Sequence, residues 1–577
     1  MRLSFPGLSF KRLGLLCVLF VPAVRCFSLD RESFSITRYE LAAQVDPEQH
    51  RLAVRGTVTL RNDAQVPQKI AVLQVSSSLE WRSLRAGEKI VQFVRQPYAS
   101  DIDHTGALSE AVVTLPQEIA PGTTIELNIA YEGLILADAT RLTRIGTPED
   151  AAKNTDWDQI SSSFSAVRGA GYVAWYPIAT EVANLSEGDS LFATLARWKR
   201  RERGASMELT IENPALVEDQ TPLLLVCTGK GSQGDSKQGN SGRCSYDDIA
   251  QTPSFALANY SVIDRPSITV FNLPGHNVAA EAYGAAAEKT APLIAEWFGP
   301  SRRKARIADL LDSQSAPFES GPFLFAPLTN ADSLRAGLAV AHQLAHGSFD
   351  SPRPWISEGL AHFAQALYME REKGRPAALD YMALHRSLLS EDENPSSRQP
   401  ADDSRSSLVA TADEEFYRSK AMYVWWMLRD LVGDDALKKA LAAYRPADDN
   451  DPSYMPRLIS AQTQRDLGWF FDNWVYRDVG LPEFKVESAF ARKVGENEFI
   501  VTVTIDNIGS AGAEVPLIVK SARGAVTRRL EVRAKSKAVL RIGTPEAPQE
   551  VVVNDGSVPE SNVSNNAFKV VMSDLGK

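Results

Sequence analysis

The sequence predicts an α+β multidomain chain built in three parts: β-rich, then α-rich, then β-rich again. Two observations carry this. Apolar residues alternate with a period of two up to about Asp264, take helical spacing through the middle of the chain, and alternate again after Leu481-Pro482. The length of 577 residues is also too great for one hydrophobic core and suits three or four domains at roughly 150 residues each. The expected divisions are an export signal over 1–26, a β domain over 27–265, an α-rich domain over 266–483 and a β-sandwich over 484–577.

The first 26 residues carry Arg2, Lys11 and Arg12 ahead of a short apolar run from Leu13 to Val24. That run is shorter than the ~20 residues a bilayer span needs, so it is read as a cleaved signal. Arg25 makes the cleavage site imperfect and leaves a retained anchor as the alternative. Lipid attachment at Cys26 is disfavoured by the same arginine. The expected location is therefore periplasmic or extracellular. After the signal, Tyr39, Leu41, Ala43 and Val45 alternate, Asp46-Pro47 turns, and Leu52, Val54, Val58 and Leu60 alternate back, which is a hairpin pattern. Ile125, Leu127, Ile129 and Tyr131 follow the same period. A β-sandwich or saddle-shaped sheet is expected here, mostly of strands. Cys227 and Cys244 flank a Gly/Ser-rich loop and, in an oxidising compartment, can close a disulfide across a hairpin; the alternative is two unrelated thiols. Asn184-Leu185-Ser186 and Asn259-Tyr260-Ser261 are glycosylation sequons that matter only in a eukaryotic secretory host.

The α-rich part opens with an Ala-rich helix over 279–297, stopped at Gly299-Pro300, then a strand, then Glu319 in Pro317-Phe318-Glu319-Ser320-Gly321. Thr329 or Asn330 can cap a helix from Ala331 on which Leu334, Leu338 and Leu344 recur, with Gly347 placed to end it. His342 and His346 lie four apart on that helix and so share one face. Imidazole nitrogens in that arrangement suit zinc, and Glu358, on a second helix starting near Trp355, can supply a third ligand. The alternative is an ordinary pair of helix histidines. After a mainly helical stretch to Tyr476, broken by a polar loop over 391–407, alternation returns at Phe499, Val501, Val503 and Ile505 and at Val515, Leu517 and Val519, a sandwich of immunoglobulin-like size. The net charge of −10 and the lack of a basic stripe argue against nucleic-acid binding. No second long apolar run follows the signal, so a multi-span membrane protein is not expected. Oligomeric state has no signature in the sequence.

Four stretches carry a family resemblance. His342-Gln343-Leu344-Ala345-His346, Trp355-Ile356-Ser357-Glu358-Gly359-Leu360-Ala361, Tyr417-Arg418-Ser419-Lys420-Ala421, and the run from Asp466 through Trp474 to Gly480-Leu481-Pro482 together resemble the aminopeptidase N family of zinc metallopeptidases. The resemblance spans most of the mature chain. It implies a thermolysin-like middle domain holding one zinc ion, and removal of N-terminal residues from peptides. His342, His346 and Glu358 would be the metal ligands. Tyr417 would stabilise the oxyanion, or else be a core aromatic. Glu319 would bind the substrate amine, or else be a loop carboxylate. His362, one turn beyond Glu358, would stand behind the ligands or replace one. The sequence departs from the family at one decisive letter: Gln343 stands where the general-base glutamate belongs, and an amide takes no proton from water. The eleven-residue link between His346 and Glu358 is also shorter than the family's. Two functions follow, a peptidase with impaired turnover or an inactive pseudo-peptidase that binds peptides or a partner. Gln343→Glu is expected to raise turnover if the rest of the site is intact.

Overall fold

A computed structural model of the chain describes residues 29–573 except 189, 213–222, 234–240, 329–331, 387–388, 390–406 and 412–413. The signal, the caps expected at Thr329 and Asn330, and nearly all of the polar loop at 391–407 lie outside the described residues. The described chain is a mixed α/β protein of several sheets. No described helix is long and apolar enough to cross a membrane.

The first hairpin forms as its alternation requires. Phe34–Asp46 pairs antiparallel with Arg51–Asn62, placing Tyr39, Leu41, Ala43 and Val45 on the buried face. These strands centre an eight-stranded sheet, and a three-stranded sheet of Gln68–Ser76, Gln92–Ala99 and Ala107–Ile119 shares its core through Leu73, Val75, Leu108 and Val113. This part is mostly strands, as expected, with short helices Thr140–Arg144 and Glu149–Thr155 and one longer helix among them. Ser190–Arg201 is a helix, with Leu191, Thr194 and Trp198 inward at spacings of three and four.

The cysteine pair closes across a hairpin, as expected, since Lys230–Gln233 and Ser241–Tyr246 pair antiparallel between the two cysteines; it also does more than clasp that hairpin. Cys227 ends Leu224–Cys227, which pairs with Phe255–Ala258 in a three-stranded sheet. Cys244 lies in Ser241–Tyr246, which pairs with Ser206–Glu212 in the eight-stranded sheet. The Cys227–Cys244 disulfide, with Cα atoms 6.4 Å apart, therefore ties two sheets together.

The middle of the chain is built on a five-stranded sheet in the order Ser261–Asp264, Ile268–Asn272, Ala305–Asp309, Phe323–Ala326 and Phe318–Ser320. Its three inner strands are parallel, and Phe318–Ser320 runs antiparallel at the edge. The Ala-rich helix Asn277–Phe298 packs against the sheet and against Ser333–Ser348, the histidine helix. The histidine helix packs in turn on Pro354–Lys373, which packs on Glu414–Val432. The last part is two four-stranded sheets whose inward residues, Val501, Val503, Ile505, Val515, Leu517 and Val519, alternate as the sequence indicates. Their core is continuous with that of the helices.

Candidate metal centre

The histidine helix starts two residues later than expected. Asp332 is its N-cap, its carboxylate accepting from the backbone N–H groups of Leu334 at 3.0 Å and Arg335 at 2.8 Å. Gly347 does not end it, since the helix runs to Ser348. Gly347 instead permits close approach: a Cβ there would sit 2.5 Å from the Arg303 carbonyl oxygen. The backbone N–H groups of Arg302 and Arg303 both donate to the Gly347 carbonyl at 2.9 Å, anchoring the last turn beside the histidines.

The helix periodicity brings His342 and His346 to one buried face with their Nε2 atoms 3.2 Å apart. Glu358 approaches from the next helix, which begins with Pro354 at its first turn, where a missing N–H costs nothing. One Glu358 oxygen lies 3.6 Å from His346 Nε2 and the other 3.9 Å from His342 Nε2. The eleven-residue link therefore still delivers the carboxylate, because the two helices lie side by side.

Glu319 comes from the edge strand. Its Oε2 lies 2.9 Å from His342 Nε2, and the Gln343 side-chain N–H donates to the same oxygen at 3.3 Å. Arg418, to which sequence reasoning gave no role, donates to the other Glu319 oxygen at 2.7 Å and sits 3.5 Å from Glu358. Glu319, His342, His346 and Glu358 each present a ligand atom within 4.8 Å of the others.

Tetrahedral zinc holds N and O ligands at about 2.0–2.2 Å, which places neighbouring ligand atoms roughly 3.3 Å apart. Four contacts of 2.9 to 3.9 Å bracket that spacing, within a cluster whose ligand atoms all lie within 4.8 Å of one another. The Oε2 atom of Glu358 is buried and accepts no hydrogen bond among the described residues; with Arg418 held off at 3.5 Å, it has room for a closer cation. The donor set of two imidazoles and carboxylates suits zinc.

The electrostatics are those of buried carboxylates paired with His342 and Arg418. Burial alone would raise the Glu319 carboxyl, but His342 and Arg418 hold it well below the usual carboxylate range. Burial opposes the charge on His342 too, yet Glu319 and Glu358 raise it above the ordinary imidazole value. Glu358 is pushed up by burial and by Glu319, while His346 and Arg418 pull it lower overall. His362 stands outside the cluster. Its ring meets that of His342 edge-on at 4.9 Å, and burial, reinforced by His342, keeps it neutral.

The cluster opens on a cleft of about 2160 Å³ between the first β part and the helices, and Gln343, His362, Tyr417 and Arg418 line it as well. All seven site residues singled out from the sequence, Glu319, His342, Gln343, His346, Glu358, His362 and Tyr417, thus line one cavity.

No family model matches the sequence, and no curated protein matches it. Solved structures to which the chain is similar include M1 zinc metallopeptidase structures from Deinococcus radiodurans. The unmutated enzyme is 15% identical, with a TM-score of 0.47, covering 77% of this chain and 94% of that one. A glutamate-to-alanine mutant is 16% identical with a TM-score of 0.47, and the same mutant bound to a Tyr-Ser-Ala substrate is 16% identical with a TM-score of 0.45, each over the same shares. At such values the likeness does not carry the chemistry of those proteins to this chain, whose site rests on its own residues.

Proposed function

We propose that this chain is an exported, zinc-holding protein of the metallopeptidase type that takes peptides into its cleft by their N-terminal end, and that Gln343 leaves its turnover impaired. The observation that supports this reading is the convergence of His342, His346 and Glu358 at zinc-ligand spacing on the floor of a cleft large enough for a peptide. In this reading 1–26 is the signal, 27–265 a β-sandwich or saddle, 266–483 a thermolysin-like domain and 484–577 an immunoglobulin-like sandwich. His342, His346 and Glu358 hold the ion. Zinc there supplies a Lewis acid that polarises a peptide carbonyl.

The remaining steps belong to the chain. Tyr417, on the cleft wall, donates its hydroxyl hydrogen to the substrate's carbonyl oxygen as negative charge builds there. Gln343 orients a neighbouring water or carboxylate through its N–H but accepts no proton. General-base assistance is typically worth 10²–10⁴-fold, and its loss at this position belongs at the severe end. A second reading, an inactive pseudo-peptidase that binds peptides or a partner protein, is favoured by the engagement of the Gln343 amide with Glu319.

Metal analysis and an aminoacyl-anilide assay test the proposal together. About one zinc per chain and a rate far below the ordinary ~1–10³ s⁻¹ are expected. Folded protein that takes up no zinc even from added salt would overturn the metal assignment, and ordinary turnover would overturn the impairment.

A further inference from the structure

We infer that Glu319 is a fourth protein ligand to the metal, held in that position by Gln343, so that the site is closed. The inference rests on the proposed zinc site and goes beyond it, since the family resemblance gives Glu319 to the substrate amine. Glu319 presents a ligand atom within 4.8 Å of those of His342, His346 and Glu358, and its Oε2 already meets His342 Nε2 at 2.9 Å, in a contact that a shared ion would replace. Glu319 is also fixed by its backbone. Phe318–Ser320 is paired to Phe323–Ala326 on one side, and the Ser320 hydroxyl donates to the Gln251 carbonyl.

Gln343 completes the argument. A side chain one residue beyond a ligating histidine points to the same region of the cleft, and here it donates an N–H to Glu319 Oε2 at 3.3 Å. Reversing the amide would set its oxygen against a carboxylate, so the contact dictates the amide's orientation. An ionised glutamate at 343 would repel the carboxylate that Gln343 now holds. The departure at position 343 and the placement of Glu319 are therefore one feature. Arg418 supports it from behind, spanning the outer oxygen of Glu319 and an oxygen of Glu358, and so offsets the repulsion of two carboxylates brought to one ion. Catalytic zinc sites keep a position open. Glu319 would therefore have to leave the ion before a carbonyl could reach it, a second source, beside the missing base, of the impaired turnover proposed above.

The test uses the full mature chain, stripped by chelator and loaded with Co(II) as an optical probe, with acetohydroxamate as a small ligand for any open position. Wild type is expected to give a four-coordinate spectrum that hydroxamate does not move. Glu319→Ala is expected to bind Co(II) at least ~10-fold more weakly, on the scale found for metal-supporting residues, and its spectrum is expected to respond to hydroxamate. A wild-type spectrum that shifts with hydroxamate, or a Glu319→Ala protein with unchanged affinity and spectrum, overturns the fourth-ligand assignment and leaves the three-ligand site standing. Folded protein that binds neither Co(II) nor zinc overturns the metal site itself. Should Glu319→Ala fail to fold, the wild-type response to hydroxamate decides alone.

Discussion

Exchanging the charges at positions 319 and 343 probes proton chemistry and site closure at once. In the Gln343→Glu variant, two carboxylate oxygens would meet at about the 3.3 Å now spanned by an N–H···O bond. At an effective dielectric constant of about 20, that repulsion is on the order of 5 kcal/mol. At 1.4 kcal/mol per factor of ten, it is comparable with the whole 10²–10⁴-fold benefit a general base confers. The single variant is therefore expected to gain no more than about tenfold over wild type. Adding Glu319→Gln removes the repulsion, keeps a hydrogen bond between the two positions with donor and acceptor reversed, and moves the one carboxylate to where a base is needed. The assay is kcat on an aminoacyl anilide, with zinc content measured for each of the four proteins so that loading and turnover are separated. The double variant should exceed either single variant by at least ~10-fold, a coupling within the 0.5–3 kcal/mol seen for contacting residues. Gln343→Glu alone matching the double variant would refute the reasoning, because position 319 would then not contend for the site. An inert double variant with zinc bound would mean that more than the base is missing.

Three further outcomes are expected. The mature chain should show no free thiol when denatured without reductant, and reducing the Cys227–Cys244 bond, 17 residues apart in sequence, should destabilise the first β part by about 3 kcal/mol; two titratable thiols in exported material would contradict this. The Glu202 carboxyl, which accepts from the Ile36 backbone N–H at 2.7 Å, is pushed up to about 7 by burial against the opposing pull of Arg201. The folded chain thus keeps this proton where the unfolded chain loses it, so stability falls as pH rises from about 4.5 to 7, by about 3 kcal/mol in all, and denaturant melts at pH 5 and 8 should show that fall abolished in Glu202→Gln. Gly359→Ala should cost about 1–3 kcal/mol, since the added Cβ would lie 2.6 Å from the Ala421 Cβ and 2.8 Å from Trp425 Nε1; an unchanged melting temperature would show that the two helices can part freely.

Much of the architecture was legible because antiparallel sheets with one face in a core impose a period of two, and Tyr39 to Val45 and Val515 to Val519 obey it. The helix Ser190–Arg201 was hidden among such strands, although Leu191, Thr194 and Trp198 carry the spacing that marks it. The histidine pair was legible because both ligands sit on one helix. What lies across sequence was not. Glu319 is 24 residues from Gln343 and 99 from Arg418, and no local pattern announces either contact. The cysteines could be paired from their spacing, but not assigned to different sheets, because that depends on Leu224–Cys227 choosing Phe255–Ala258 as its partner.

The stretches that carry the family resemblance divide, in space, into a frame and a reactive face. Gly359 lets the Glu358 helix close on Ala421 and Trp425, and the Trp425 indole N–H donates to the Trp355 carbonyl at 3.2 Å while the two indoles stack at 5.3 Å. One residue before Ala421, the buried Lys420 pairs with Asp478 at 2.7 Å, just ahead of Gly480-Leu481-Pro482. Three of the four stretches thus meet in one packed unit whose effect is to fix the angle at which Glu358 faces the histidines. The decisive departure, Gln343, falls elsewhere, on the cleft side, where it and Arg418 both meet Glu319. Loss of the whole function would be expected to loosen frame and face together, because small packing residues such as Gly359 tolerate replacement only when the geometry they permit no longer matters. Here the frame is intact, and the Gln343 side-chain N–H and Arg418 both donate to Glu319. That pattern favours a site kept for holding a metal and a cleft, with hydrolysis reduced, over a relict in which the histidines persist by chance.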